Sequence, residues 1–249
     1  MRLPLMKRWR YVGVYGPDLM CCFGRVSIGG RPQTFWALWD REARELRERT
    51  RFRDAAVQLE PGMVRVRDRG VAVDLFFDEH AHPAWEVTTG PIWTRKRIIA
   101  VSGSVVIDGR ERTLLARGIV DDSAGRHDRD TAWSWSAGVG TAVGGELVAW
   151  NLVDGIHDGA TGSERAVWVD GAPTEAPPAL FDAALTEVRS ADGAVALRCA
   201  HEAVRRRDDN FGLVRSRYEQ PFGTFTGTLP GGLVLADGFG VMERHDVRW

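Results

Sequence analysis

The sequence predicts an all-β protein of antiparallel strands with very little helix. Three observations carry that prediction. Apolar and polar residues alternate with period two along most of the chain. Turn dipeptides punctuate that alternation at intervals of roughly 8–12 residues. Ten tryptophans and 28 glycines accompany few helix-forming stretches, as expected for twisted sheets with tight turns around an aromatic interior.

The elements follow in order. "LMCCFGRVSI" turns at Gly29-Gly30 and "TFWALWD" returns. "REARELRERTRF" is the one stretch with weak helical spacing. "MVRVRD" turns at Arg69-Gly70 into "VAVDLFF", and "RIIAVSGSVVI" turns at Asp108-Gly109 into "ERTLLARGIV". An Asp-Gly step marks a hairpin because both positions tolerate positive φ. "WSWSAGVG" passes Gly144-Gly145 into "ELVAWNLV", and "ERAVWVDGAP" holds another Asp-Gly turn. The Pro-rich "GAPTEAPPALFD" reads as a loop or edge. "AVALRCAHEAV", "FGLVRSRYEQ", "GTFTGTL" and "LVLADGFGVMERHDV" read as four more strands.

A chain of 249 residues suits one large β domain or two of about 100–130 residues. Its net charge of −1 offers no field to recruit nucleic acid. No window approaches the roughly 20 apolar residues of a membrane span. Cys21, Cys22 and Cys199 are odd in number and show no CxxC spacing, so reduced thiols are expected. The first residues lack the apolar core of a signal peptide, and a cytoplasmic location is expected. The sequence sets no oligomeric state.

No Rossmann glycine fingerprint, Walker A loop, GxSxG elbow or HExxH occurs, so any chemistry is expected to need no cofactor. His80, His82 and Glu86 in "HAHPAWE" have the two-residue spacing of a strand-borne metal pair, as in metal-binding cupins. Pro83 interrupts that strand and no second histidine motif follows, so loop histidines and no metal site are expected.

One stretch stands apart. "GIVDDSAGRHDRDTAWSWSAG" gathers Asp121, Asp122, Arg126, His127, Asp128, Arg129 and Asp130 before Trp133 and Trp135. Charges of alternating sign suit a solvated loop, and two aromatics on one strand face suit a core. The same residues also suit a site. A carboxyl beside an apolar, Trp-lined cavity has a raised pKa and can donate a proton. Arg126 could anchor a ligand, and Glu243 and His245, sharing one strand face, could line the same pocket. Asn151 in "AWNLVDG" and Glu164 in "ERAVWVDG" are either strand bridges or ligand contacts. Arg95 and Lys96 are rim charges or anion anchors.

The run from Val101 to Trp150 resembles the AttH/carotenoid-1,2-hydratase-like group at Gly103, Asp108, Gly109, Gly118, Asp121, Gly125, Trp133, Trp135 and Gly145. It departs from the group at Asp122 and Ala124. Nearly the whole chain, from "RWRYVGVYGPDLMCCFGRVSIG" to "GFGVMERHDVRW", is similar to the DUF2804 family of uncharacterised bacterial proteins. The resemblance implies two lipocalin-like barrels or half-barrels in tandem, residues 1–125 and 126–249, with the charged cluster at their join. It implies a hydrophobic small molecule, terpenoid, polyene or lipid-like, as ligand. It also implies acid-assisted hydration, cyclisation or isomerisation, with Asp121, which matches the group's acidic position, as first catalytic candidate; His127, placed beside it to stabilise the anion or anchor a ligand, is the second. Ligand contacts are expected at Trp133, Trp135, Asn151, Arg126, Glu243 and His245. A carrier or sensor without chemistry, and a structural protein with filled barrels, are the rival readings.

Overall fold

A computed structural model describes residues 5–52, 56–210 and 215–248. Among them there are nineteen strands and no helix, so none is long and apolar enough to cross a membrane. The first sheet holds β1 (Met6–Tyr15), β2 (Leu19–Ile28), β3 (Arg31–Asp40), β4 (Glu45–Phe52) and β5 (Val57–Glu60). It continues with β6 (Met63–Asp68), β7 (Val71–Phe77), β8 (Trp85–Thr89), β9 (Ile92–Ile107) and β10 (Arg110–Arg126). The second holds β11 (Asp130–Ala142), β12 (Leu147–Asp154), β13 (Ala166–Val169), β14 (Ala172–Glu175) and β15 (Ala179–Phe181). Then come β16 (Glu187–Ser190), β17 (Ala196–Asn210), β18 (Arg215–Leu229) and β19 (Leu233–Arg248).

The strand order is β4-β3-β2-β1-β10-β9-β7-β6-β5 in the first sheet, with β8 also on β9, and β14-β13-β12-β11-β19-β18-β17-β16-β15 in the second. Each sheet curls until its last strand nears the other side: β5 approaches β2 and β3, and β15 approaches β12. The result is two antiparallel half-barrels in tandem, joined through His127, Asp128 and Arg129.

The turn dipeptides act as their chemistry requires. Ile107 pairs with Arg110, leaving Asp108 and Gly109 as a two-residue loop with φ of 49° and 82°. Positive φ at both central positions matches the twist of the flanking strands. Gly29-Gly30, Arg69-Gly70 and Asp170-Gly171 repeat the arrangement.

Two expectations are corrected. Residues 41–52 are not helical: a turn at Arg41–Arg44 leads into β4. Arg49 and Arg51 both reach Asp68 from alternate positions of β4, a period of two that outweighs the residues' helix propensity. The segments read as two strands around Pro221 form the single strand β18, with residues 211–214 outside the described part. Pro221 still pairs with Val204 of β17, while the β19 ladder passes from Glu219 to Phe222.

Each half-barrel has its own apolar core. Val12, Phe23, Trp36, Val64, Val73 and Val101 belong to the first core, and Trp150, Leu152, Val188, Leu197, Phe225 and Met242 to the second. A third apolar cluster, including Tyr11, Tyr15, Cys22, Trp39, Trp135, Trp168 and Phe222, draws residues from both sheets and forms the seam between them. Burial on both faces explains the near-continuous apolar runs in β1, β2, β3 and β11.

Candidate functional site at the seam

A cross-strand row crosses the seam face of the first sheet. Tyr11 of β1 pairs with Asp121 of β10, Asp121 with Lys96 of β9, and Lys96 with Trp85 of β8. Lys96 is 1% exposed, and its Nζ lies 2.5 Å from Asp121 Oδ1 and 3.3 Å from Glu164 Oε2. Glu164 comes from the second sheet's side, in the stretch between β12 and β13. One buried cation therefore faces two carboxylates. Burial pushes the Asp121 carboxyl up to about 6 against the pull of Lys96, with Glu164 adding to the rise. Burial acts to neutralise Lys96, but Asp121 and Glu164 outweigh it and hold its pKa above the ordinary value.

Two histidines sit beside this row. His127 follows the end of β10 and tilts against Trp9, with ring centroids 4.9 Å apart. His157 meets it edge-on at 5.7 Å, from a left-handed backbone position with φ of 49°. Burial, then Lys7 and His157, brings His127 down to about 3. Burial and Lys96 bring His157 down to about 4 against Asp121 and Asp158. Both imidazoles are neutral at pH 7.

The other end of the seam is built around Glu243 of β19, 8% exposed. The Trp133 indole N–H donates to its Oε1 at 2.9 Å, and the Gln220 amide donates to its Oε2 at 3.0 Å. Burial pushes Glu243 up to about 7, against hydrogen bonds from Trp133 and Tyr218. His245 hydrogen-bonds Ser216 at 2.8 Å and packs between Trp133 and Tyr218, and burial brings it down to about 4. Arg205 crosses the seam to Glu48 at 2.8 Å and also donates to Gln220 at 3.0 Å.

Between the two ends, the Tyr11 and Tyr15 hydroxyls meet at 3.0 Å. Gly13 permits this: a Cβ there would stand 2.1 Å from the Tyr15 oxygen. Trp135 lies edge-on to Tyr11 at 5.3 Å and donates to Asn151 at 2.8 Å. Asn151 in turn donates to the Glu164 backbone carbonyl at 2.8 Å, so it bridges β11, β12 and the stretch that carries Glu164.

The structure thus brings Asp121, His127, Trp133, Trp135, Asn151, Glu243 and His245 to one seam. Arg126 is not among them: it is exposed at the end of β10, on the strand face opposite Asp121. Asp122 also faces the other way, pairing with Arg10 at 2.9 Å and Arg95 at 3.3 Å. His80 and His82 occupy the loop between β7 and β8, and among the described residues no three His, Cys, Asp or Glu side chains gather as around a metal. A surface cleft of about 490 Å³ opens elsewhere along the seam, lined by Pro17, Trp39, Arg41, Arg44, His201 and Glu202, with neither Asp121 nor Trp133 in its wall.

Sequence reasoning missed Tyr11, Tyr15, His157, Arg205, Tyr218 and Gln220. Tyr11 and Tyr15 flank a glycine at i and i+4 on one strand face, a readable signal for two phenols meeting. His157 lies between strands and carries no periodic signal at all.

Residues 84–249 match the model of the family described as a domain of unknown function, DUF2804. The chain belongs to that family. No curated protein matches this DUF2804 chain. Among solved structures it is similar to an AttH-like protein from Nitrosomonas europaea, at 12% identity and TM-score 0.62, covering 96% of this chain and 92% of that one. It is similar to kievitone hydratase from Nectria haematococca, at 11% identity and TM-score 0.58, covering 96% and 88%. It is also similar to CghA, at 11% identity and TM-score 0.59, covering 98% and 88%. At such identities the likeness establishes a shared fold.

Proposed function

We propose that this DUF2804 chain binds a hydrophobic small molecule, terpenoid, polyene or lipid-like, at the seam between its half-barrels and performs acid-assisted hydration, cyclisation or isomerisation on it. The observation that carries the reading is the buried Lys96–Asp121 pair, 2.5 Å apart at the join of two apolar sheets. A carboxyl whose pKa lies near the working pH is suited to both giving and regaining a proton. In a hydration, Asp121 gives its proton to a polarised double bond or carbonyl and recovers one from the water that adds. Neutral His127 and His157 accept or donate hydrogen bonds beside it. Glu243 has both oxygens engaged by Trp133 and Gln220, which makes it a positioning residue for the aromatic wall. Kievitone hydratase and CghA, the latter also solved with Sch210972, lend the ligand class its support by fold likeness.

We take residues 1–125 and 126–249 as two lipocalin-like domains, since each half has its own sheet and its own apolar core. Three buried free cysteines are in keeping with a cytoplasmic location. The apolar cores suit one rival equally, a structural protein without ligand. Mass spectrometry of apolar compounds extracted from the native protein, with quenching titrations of its tryptophans by polyenes and retinoids, separates the two. Binding at the seam predicts a retained or quenching ligand. No retained compound and no quenching by any apolar probe would favour the structural protein.

A further inference from the structure

Among the described residues, three buried side-chain polar atoms without a hydrogen-bond partner belong to one neighbourhood: Thr94 Oγ1, His127 Nε2 and His157 Nε2. The Asp121 and Glu164 carboxylate oxygens nearby are held by the Lys96 ammonium. Thr94 sits two residues before Lys96 on the same face of β9 and pairs with Ser123, two residues beyond Asp121. The two imidazoles are 5.7 Å apart, and His157 lies within the fields of Lys96 and Asp121.

Native interiors hold only a few unpaired buried polar atoms. Three together define a demand for hydrogen bonds, and their types define what answers it. Thr94 and the neutral imidazoles can donate or accept. A carboxylate or phosphate would meet the Asp121 and Glu164 charges, which already share Lys96, while Lys7 beside His127 donates to the Asp128 backbone carbonyl at 3.1 Å. A hydrocarbon would leave all three atoms unanswered. A hydroxyl fits: its hydrogen goes to an imidazole nitrogen and its lone pairs accept from Thr94 or the other imidazole's N–H.

We propose that the ligand carries an alcohol or phenol hydroxyl that docks among Thr94, His127 and His157 beside the Lys96–Asp121 pair, its apolar body lying along Trp9, Trp85 and Tyr11. This rests on the seam as the binding site and adds the polarity of the ligand's head.

Retinol, its methyl ether and retinoic acid share one apolar body and serve as probes in tryptophan-quenching titrations. The wild-type chain is expected to bind the alcohol about tenfold more tightly than the ether or the acid, the worth of one hydrogen bond to a buried group. His127→Phe and His157→Phe, each verified as folded by circular dichroism, remove acceptors for the hydroxyl hydrogen, and at least one is expected to bring alcohol and ether to within about threefold while leaving the ether's affinity in place. Equal binding of alcohol and ether by the wild type, or a preference that both variants retain, would overturn the hydroxyl assignment and leave the seam as a binding site. Quenching by none of the three would overturn both.

Discussion

Lys96 and Asp121 stand directly opposite each other on neighbouring strands, and their side chains meet at 2.5 Å inside the seam. Glu164 closes on the same ammonium from the second sheet's side, so one lysine ties the two half-barrels together electrostatically.

Removing that cation strands two buried carboxylates. Lys96→Met is expected to cost about 3–5 kcal/mol at pH 8, the usual penalty for breaking one side of a buried pair. At pH 5, below the value of about 6 to which burial pushes Asp121, the loss should be smaller because the carboxyl is protonated. Urea denaturation at the two pH values measures the difference, and an equal loss at both would contradict the pairing.

Glu243 makes stability depend on pH in a predictable direction. Its folded pKa of about 7 exceeds the ordinary value of 4.5 because burial favours the uncharged acid. That contribution is complete below pH 4.5 and is lost as pH rises through 7. Glu243→Gln should therefore gain on the wild type by on the order of 3 kcal/mol between pH 4.5 and pH 8. Parallel stability curves would show that Glu243 titrates normally.

The two tryptophans of the WxW pair should separate in energy. Trp135 is 5% exposed and its N–H holds Asn151, so Trp135→Ala is expected to cost about 3–5 kcal/mol. Trp133 is half-buried at the rim, and the same change there should cost noticeably less. Equal penalties in chemical denaturation would place Trp133 in a closed core.

The three cysteines should be silent in the folded chain. Cys21, Cys22 and Cys199 are all buried, and burial pushes each thiol above its ordinary range, Cys199 to about 12. A thiol reagent is expected to label none of them until denaturant unfolds the chain. Rapid labelling of Cys22 in native buffer would mean that the seam opens.

Much of the architecture was legible because turn chemistry is local. Asp108-Gly109 and Asp170-Gly171 need only their own φ values to make a hairpin. Trp133, Trp135 and Asp121 could be grouped from sequence because they lie close together along the chain. The partnership of Asp121 with Lys96 could not, since it depends on the register of β9 against β10, and that of Glu164 depends on how two sheets meet. Arg41 to Phe52 misled because Arg and Glu favour helix, while the carboxylate that fixes Arg49 and Arg51 lies on β6. Arg126 misled because a single position along β10 turns a side chain to the other face.

The most direct test of the central claim uses Asp121→Asn and a ligand recovered from the native protein. With that compound as substrate, product formation by mass spectrometry is followed alongside its Kd in the wild type and the variant. The variant is expected to bind within about threefold of the wild type, since Asn keeps size and polarity, and to lose turnover by roughly 100-fold or more, the scale of a positioned general acid. Turnover that survives in Asp121→Asn at the wild-type rate would remove Asp121 from the chemistry and contradict the account.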